Sequence, residues 1–387
     1  VIPADGLLEV VLCKADGTAA FQKDLPFGKY YVKEVATDQH YILSGEKYPV
    51  EFTYQGQDTE VVHISVHEGN AIENELIRGK ISGIKVDTDG KALEGAVIGL
   101  FSVGTEEFTK ETALMVTTSD KDGAFAFEDV PYGRWIVREI TSPEGYVLNE
   151  ALHYVSVSED EEVIEVELIN KQIKGSVRLT KVDAEYPENK LTGAVFELYE
   201  DTDNNQELSD KDTLLGEVPE ITEGIYQTDG LRYGGYFVKE KTAPEGFKLD
   251  ETAYYFEIRE DGAIVDVENE AGVGFGNQPI TGTLELTKKD ISDGKLLPNA
   301  GFRIKDEDGN IVATGVTDKN GIAKFTLRYG EYTYQEYNAP EGYEIDEKEY
   351  AFEIKEDGQI VKATMTNAKI PKEVITTPKT GDDSKPG

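Results

Sequence analysis

Lysine, glutamate and asparagine recur in this 387-residue chain where a strand should carry an apolar side chain. The glutamates stand in four related phrases: GRWIVREITSPEGY around Glu139, GYFVKEKTAPEGF around Glu240, GEYTYQEYNAPEGY around Glu336, and the divergent GKYYVKEVATDQHY around Glu34. Side chains alternate across a strand, so residues two apart share a face. On that count Trp135 and Val137 lead to Glu139, Tyr236 and Val238 to Glu240, Tyr332 and Tyr334 to Glu336, and Tyr30 and Val32 to Glu34. Upstream, Val177 and Leu179 lead to Lys181, Leu284 and Leu286 to Lys288, and, more weakly, Ile81 and Gly83 to Lys85. Downstream, Val166 and Leu168 lead to Asn170, Val265 and Val267 to Asn269, and Ala363 and Met365 to Asn367. Three segments thus each offer an amine, a carboxyl and a carboxamide to one buried face.

Burying these groups unpaired would cost several kcal/mol, so they are expected to meet one another. Two chemistries are open. The plain one is a hydrogen-bonded structural triad, because buried charges are paired. The other is covalent. Apolar surroundings disfavour charge, so amine and acid can rest neutral. A neutral amine is a nucleophile, and a carboxylic acid can polarise a carboxamide. Attack of the lysine nitrogen on the asparagine amide carbon, with the glutamate carrying the proton, forms a Lys–Asn isopeptide bond and expels ammonia. That reaction needs neither cofactor nor metal and runs once per site, so the chain would modify itself without turning over as an enzyme. Recurrence of all three residue types on corresponding strands favours the covalent reading.

The elements that must position these groups are short strands. Opening strands GKISGIKVD, GSVRLTKVD and GTLELTKKD are followed by second strands GAVIGLFS, GAVFELYE and NAGFRIKD, and then by turn signals such as DKDG and DKNG. The glutamate phrase and its Pro-Glu-Gly turn come next, and closing strands end in VELIN, VDVEN and ATMTN. Alternation without a sustained helical period predicts an all-β chain of tandem antiparallel β-sandwiches. Repetition at a fixed period overrides length as a guide to domain number. The expected divisions are a partial module over 1–77, complete modules over 78–172, 173–272 and 280–369, and a linker over 370–387. The first module keeps Glu34 and a closing strand to Asn74, but its lysine is expected upstream of Val1.

The Lys-x-Asp opening strand, the Glu-x-x-(Ala/Ser)-Pro-Glu-Gly-(Tyr/Phe) phrase and the terminal asparagine together resemble the collagen-adhesin B-type domains, also called SpaA-like prealbumin-fold domains, of Gram-positive surface proteins and pilins. The resemblance covers nearly the whole chain. It implies an array of Ig-like, prealbumin-like sandwiches in a rod. It also implies isopeptide bonds Lys85–Asn170, Lys181–Asn269 and Lys288–Asn367, promoted by Glu139, Glu240 and Glu336. After Asn367 the composition turns polar, and Thr377-Pro378-Lys379-Thr380-Gly381 resembles the sortase signal Leu-Pro-x-Thr-Gly, with Thr377 in place of leucine. As a signal it implies cleavage between Thr380 and Gly381 and attachment to peptidoglycan. The resulting expectation is a monomeric, extracellular, wall-anchored stalk. Its rivals are a sortase-polymerised pilin and an adhesin whose modules bind a host matrix or glycan.

The remaining features narrow the field. A net charge of −37 argues against nucleic acid, which normally meets a basic patch. No apolar run is long enough to span a bilayer. The single cysteine, Cys13, excludes an intrachain disulfide and is read as a packing residue. Asp201, Asp203 and Asn205 have calcium-loop spacing, but Gln206 stands where such a loop needs glycine, so no metal is expected. In EYPEN, Glu188 takes the place of the lysine in the Tyr-Pro-Lys of pilin polymerisation motifs, which favours a stalk over a pilin backbone.

Overall fold

The structure is a computed structural model that describes residues 3–269 and 274–371. It divides into two compact units, Val1–Lys171 and Gln172–Gly387. Almost all regular structure is β, as the alternation predicts.

Within the first unit, the second module is a sandwich of two sheets. One sheet orders Ala124–Pro131, the opening strand Arg78–Asp87 and the closing strand Val163–Asn170. The other orders Met115–Thr118, Val97–Ser102, the glutamate strand Gly133–Thr141 and His153–Val157. Inward residues of both sheets, among them Ile81, Phe127 and Leu168 from the first and Ile98, Leu100 and Val137 from the second, form one core. Alternating burial along each strand closes it, because one face of each sheet is apolar.

The second unit repeats this plan twice. In the third module the opening strand is Lys174–Asp183 and the glutamate strand Gly234–Thr242; in the fourth they are Thr281–Asp290 and Gly330–Asn338. Their cores centre on Leu179, Phe196 and Val238, and on Leu286, Phe302 and Tyr334.

The sheets are antiparallel with one departure. Opening and closing strands lie side by side and parallel, Lys80–Asp87 against Val163–Asn170 and Thr283–Asp290 against Ile360–Asn367. The intervening strands form the long crossover that parallel neighbours require.

The third module departs further. Its closing strand comes in two pieces, Ile264–Asp266 beside Ser176–Arg178 and Phe275–Asn277 beside Lys181–Asp183. From the first piece to the second the opening strand advances by three positions, Arg178 to Lys181, and the closing chain by nine, Asp266 to Phe275.

The first module shows one two-stranded ladder, Gly28–Val32 with Tyr48–Phe52. The strand expected to end at Asn74 is absent from the described ladders; this stretch makes the single bridge Tyr41–Leu76. Elsewhere among the described strands a closing strand pairs only with its opening strand, and no such strand stands beside this stretch among the described residues. Cys13 is exposed and does not pack; it precedes a Lys14–Thr18 turn, whose backbone bond of 2.8 Å matches the Asp120–Ala124 and Asp318–Ile322 turns.

Candidate functional site

Each complete module brings a lysine, a glutamate and an asparagine together in its core. Lys85, Lys181 and Lys288 are all 0% exposed, and Glu139, Glu240 and Glu336 are 1–2% exposed. The lysine comes from the opening strand and the asparagine from the adjacent closing strand. The glutamate reaches across from the facing sheet, so folding of the whole sandwich assembles the site.

Local structure fixes each group. The lysine N–H donates to a turn glycine: Lys85 to Gly123 at 2.7 Å, Lys181 to Gly224 at 2.7 Å and Lys288 to Gly321 at 2.8 Å. Those glycines have φ of +77°, +65° and +67°, and a Cβ at Gly123 would meet the Lys85 carbonyl oxygen at 2.4 Å, so only glycine fits. Each glutamate Oε2 accepts a backbone N–H ten residues on: Ser44 to Glu34 at 3.1 Å, Asn149 to Glu139 at 2.8 Å, Asp250 to Glu240 at 3.0 Å and Asp346 to Glu336 at 2.9 Å.

In the second module Asn170 Nδ2 donates to both Glu139 oxygens at 2.9 Å, and Lys85 Nζ stands 3.8 Å from Glu139 Oε1. In the fourth, Asn367 Nδ2 donates to Glu336 Oε1 at 2.9 Å and Lys288 Nζ lies 3.1 Å from Oε2. In the third, Lys181 Nζ lies 2.9 Å from Glu240 Oε1, and the carboxamide beside them is that of Asn277. Its Nδ2 donates to Glu240 at 3.0 and 2.8 Å, and its Oδ1 accepts from Lys181 Nζ.

The sequence expectation of Asn269 at this site is therefore corrected. Asn269 Nδ2 donates to the Gly276 carbonyl at 2.6 Å, bracing the detour between the two closing pieces. Its parity is right, but the Arg178–Asp266 register carried forward would set Asn269 opposite Lys181, two positions short of Asp183. In all three modules the asparagine of the site faces the aspartate of Lys-x-Asp: Asn170 with Asp87, Asn277 with Asp183, Asn367 with Asp290. A signal for Asn277 was present in the sequence. Asn74, Asn170 and Asn277 each stand five residues before the glycine of the next opening strand, Gly79, Gly175 and Gly282, and Asn269 does not.

Glu34 and Asn74 of the first module also meet. Asn74 Nδ2 donates to Glu34 Oε1 at 2.8 Å and to Thr37 Oγ1 at 2.6 Å. Among the described residues no lysine amine joins them.

The electrostatics suit nucleophilic chemistry. Burial pushes all three lysine amines below the ordinary lysine value, against the opposing pull of Glu139 and Asp87, of Glu240 and Asp250, and of Glu336 and Asp346. Aromatic rings wall the amine in: Lys181 Nζ lies 4.8 Å from the Phe275 centroid, and Lys288 Nζ 5.7 Å from that of Phe302. A neutral amine there could attack the carboxamide carbon, with the glutamate bonded to the carboxamide nitrogen and 2.9–3.8 Å from the amine, placed to carry a proton between them.

Elsewhere, Asp201, Asp203 and Asp212 bring carboxylate oxygens within 4.8 Å of one another. Asp201 already accepts from the Asn205 and Gln206 amides, and Lys211 pairs with Asp203 at 3.3 Å. The Thr377–Gly381 segment lies outside the described residues.

The model of the SpaA prealbumin-like fold domain matches four stretches of the chain, residues 7–66, 79–172, 175–271 and 282–369. The chain belongs to this family. It is 26% identical over 287 residues to serine-aspartate repeat-containing protein D of Staphylococcus aureus strain Newman, covering 66% of this chain and 21% of that protein. It is 34% identical over 99 residues to a collagen adhesin of S. aureus, covering 23% of this chain and 8% of the adhesin. The chain thus spans about a fifth or less of the curated relatives it matches. Among solved structures, the Bacillus anthracis TIE protein superposes with a TM-score of 0.64 at 33% identity, covering 76% of this chain and 52% of that one. The third SpaA match ends at residue 271, short of the Asn277 that completes the third site.

Proposed function

We propose that this chain is the structural stalk of a cell-wall-anchored surface protein of a Gram-positive bacterium, hardened by bonds it makes itself: Lys85–Asn170, Lys181–Asn277 and Lys288–Asn367. The observation that carries the reading is the threefold recurrence of a buried lysine, glutamate and asparagine, the glutamate bonded to the carboxamide and 2.9–3.8 Å from the amine. Kinship with an adhesin and with a serine-aspartate repeat protein of a Gram-positive coccus supports an extracellular place. Glu139, Glu240 and Glu336 would take the proton from the attacking amine and deliver it to the departing nitrogen, so that one C–N bond forms, one breaks and ammonia leaves. A monomer anchored by sortase to peptidoglycan through Thr377–Gly381, and division of the chain at 78, 173 and 280, belong to the same proposal.

Such a bond closes a loop of most of a module, which a chain-entropy account values at about 4 to 5 kcal/mol. Its mechanical effect is larger. Opening and closing strands are parallel neighbours, joined near their C-terminal ends. Tension entering at Gly79 would run along the opening strand to Lys85, cross to Asn170 and leave, bypassing everything between.

Intact mass tests the reading. The expected mass falls three ammonia molecules short of the sequence mass, and Glu139→Ala, Glu240→Ala and Glu336→Ala each restore one, after allowance for the substitution. A mass equal to that of the sequence would leave the triads as hydrogen-bonded networks. Anchoring is checked by incubation with a sortase and an amine nucleophile, where Thr380→Ala should abolish the transfer.

A further inference from the structure

The aspartate of Lys-x-Asp is buried in each complete module, with Asp87, Asp183 and Asp290 only 1–2% exposed. One carboxylate oxygen closes the turn after the opening strand: Asp87 Oδ1 accepts from the Asp89 amide, Asp183 Oδ1 from the Glu185 amide and Asp290 Oδ1 from the Ser292 amide, at 2.8–2.9 Å. The other oxygen faces the tyrosine that ends the Pro-Glu-Gly-Tyr turn. Tyr146 OH donates to Asp87 Oδ2 at 3.3 Å and Tyr343 OH to Asp290 Oδ2 at 2.9 Å. The fourth module adds Lys369 Nζ at 2.7 Å from Asp290.

The third module lacks both kinds of donor. Phe247 stands in the tyrosine's place and has no hydroxyl, and Pro279, two residues past Asn277, occupies the position of Lys369. The next module fills the gap. Arg328, the last residue of the fourth module's Ile322–Arg328 strand, donates from Nη2 to Asp183 Oδ2 at 2.6 Å, its guanidinium 5.7 Å from the Phe247 ring centroid and 5.3 Å from that of Tyr186. Neighbouring contacts hold the same turn: Tyr329 OH donates to Glu245 at 2.6 Å, and Lys248 pairs with Asp357 at 2.8 Å.

We propose that Arg328 is a positioning residue for the third module's site, supplied by the fourth. It substitutes for the missing tyrosine hydroxyl in fixing Asp183, which lies two residues beyond Lys181 and faces Asn277 across the ladder. The third module is thereby completed by its successor, and its cross-link forms promptly only after the fourth module has folded and docked. This rests on reading Lys181 and Asn277 as a cross-link pair. A buried carboxylate that loses a charge-assisted partner pays most of its desolvation cost, which gives the contact its leverage over the strand.

The test uses the whole chain made by cell-free synthesis, with timed peptide mapping of each site and hydrogen exchange at the Glu185 and Tyr186 amides. In Arg328→Ala the Lys181–Asn277 bond should form about tenfold more slowly, and the two amides exchange about tenfold faster, the scale of one lost charged hydrogen bond. Lys85–Asn170 and Lys288–Asn367 in the same molecules serve as clocks. Adding Phe247→Tyr should restore both readouts, because it returns the hydroxyl used by the sister modules; a general packing defect would not respond. An unchanged third site, or failure of the rescue, overturns the proposal. Should Arg328→Ala disturb the fourth module itself, seen as loss of the Lys288–Asn367 bond, Asp183→Asn decides from the other side: equal slowing supports the proposal and an unchanged rate overturns it. If the parent chain forms no bond at any site, the cross-link function falls, and the exchange rates alone judge Arg328.

Discussion

The third module and its two neighbours carry the same three buried groups but close their sheets differently. In the second and fourth modules the closing strand runs unbroken for eight residues to its asparagine. In the third it leaves the ladder after Asp266 and rejoins it at Phe275. Both routes end with asparagine opposite the aspartate of Lys-x-Asp. The contrast shows which part of the closing strand is constrained. Its path can vary, but the alignment at its end, where the carboxamide must reach the lysine and the glutamate, is kept.

The strongest way to break this comparison is to exchange the two asparagines. Asn277→Ala should abolish the third cross-link and raise the intact mass by one ammonia, after allowance for the substitution, whereas Asn269→Ala should leave the deficit whole. The opposite pattern would restore Asn269 to the site and remove the detour's significance. Next in size is Glu240→Ala. Beyond losing the bond, it strands the Lys181 amine in the core, so the module should lose a further ~3–5 kcal/mol relative to Asn277→Ala. Hydrogen exchange of core amides in the third module measures the difference, and equal stability of the two variants would count against a buried, partnered amine.

A pH profile sharpens the contrast further. In Asn277→Ala the Lys181 amine stays free, and burial holds its pKa below the unfolded value. The unfolded state then binds the extra proton, so stability should rise as pH climbs toward the ordinary lysine value near 10. Burial pushes Tyr226 and Tyr236 of the same core up to about 12. These phenols stay neutral in the fold while unfolded ones ionise near 10, so stability should fall again between about pH 10 and 12. A denaturation midpoint that declines steadily from pH 7 upward would contradict the lysine half of this account. The smallest effect belongs to Asn269→Ala, which removes the side-chain hydrogen bond to the Gly276 carbonyl. It should cost about 1 kcal/mol, visible as faster local exchange near Gly276 with the cross-link intact.

Most of the architecture was legible in the sequence because it rests on local rules. Alternation around Glu139, Glu240 and Glu336 put the glutamates on the buried face, and the Asp-Gly and Asn-Gly turns marked the hairpins that hold Lys85 and Lys288. What was missed involved partners rather than faces. Val265 and Val267 lead to Asn269 with correct parity, yet six additional closing-strand residues intervene before the ladder meets Lys181. Nothing in an apolar-polar alternation records how far a strand has slipped against another strand about ninety residues away. The strand expected to end at Asn74 is likewise absent from the described ladders, because alternation within a segment does not supply its partner.

The sequence by itself determined which face of its strand each lysine and glutamate occupies, because that face follows from backbone geometry within the strand. It also determined the chemistry available there, through the recurrence of lysine, glutamate and asparagine. Only the tertiary structure decided which asparagine meets Lys181, and that Arg328 of the next module serves Asp183 where Phe247 has no hydroxyl. Those choices depend on register between distant strands and on how neighbouring modules dock, and both are settled by hydrogen bonds that form only once the sheets and modules have come together.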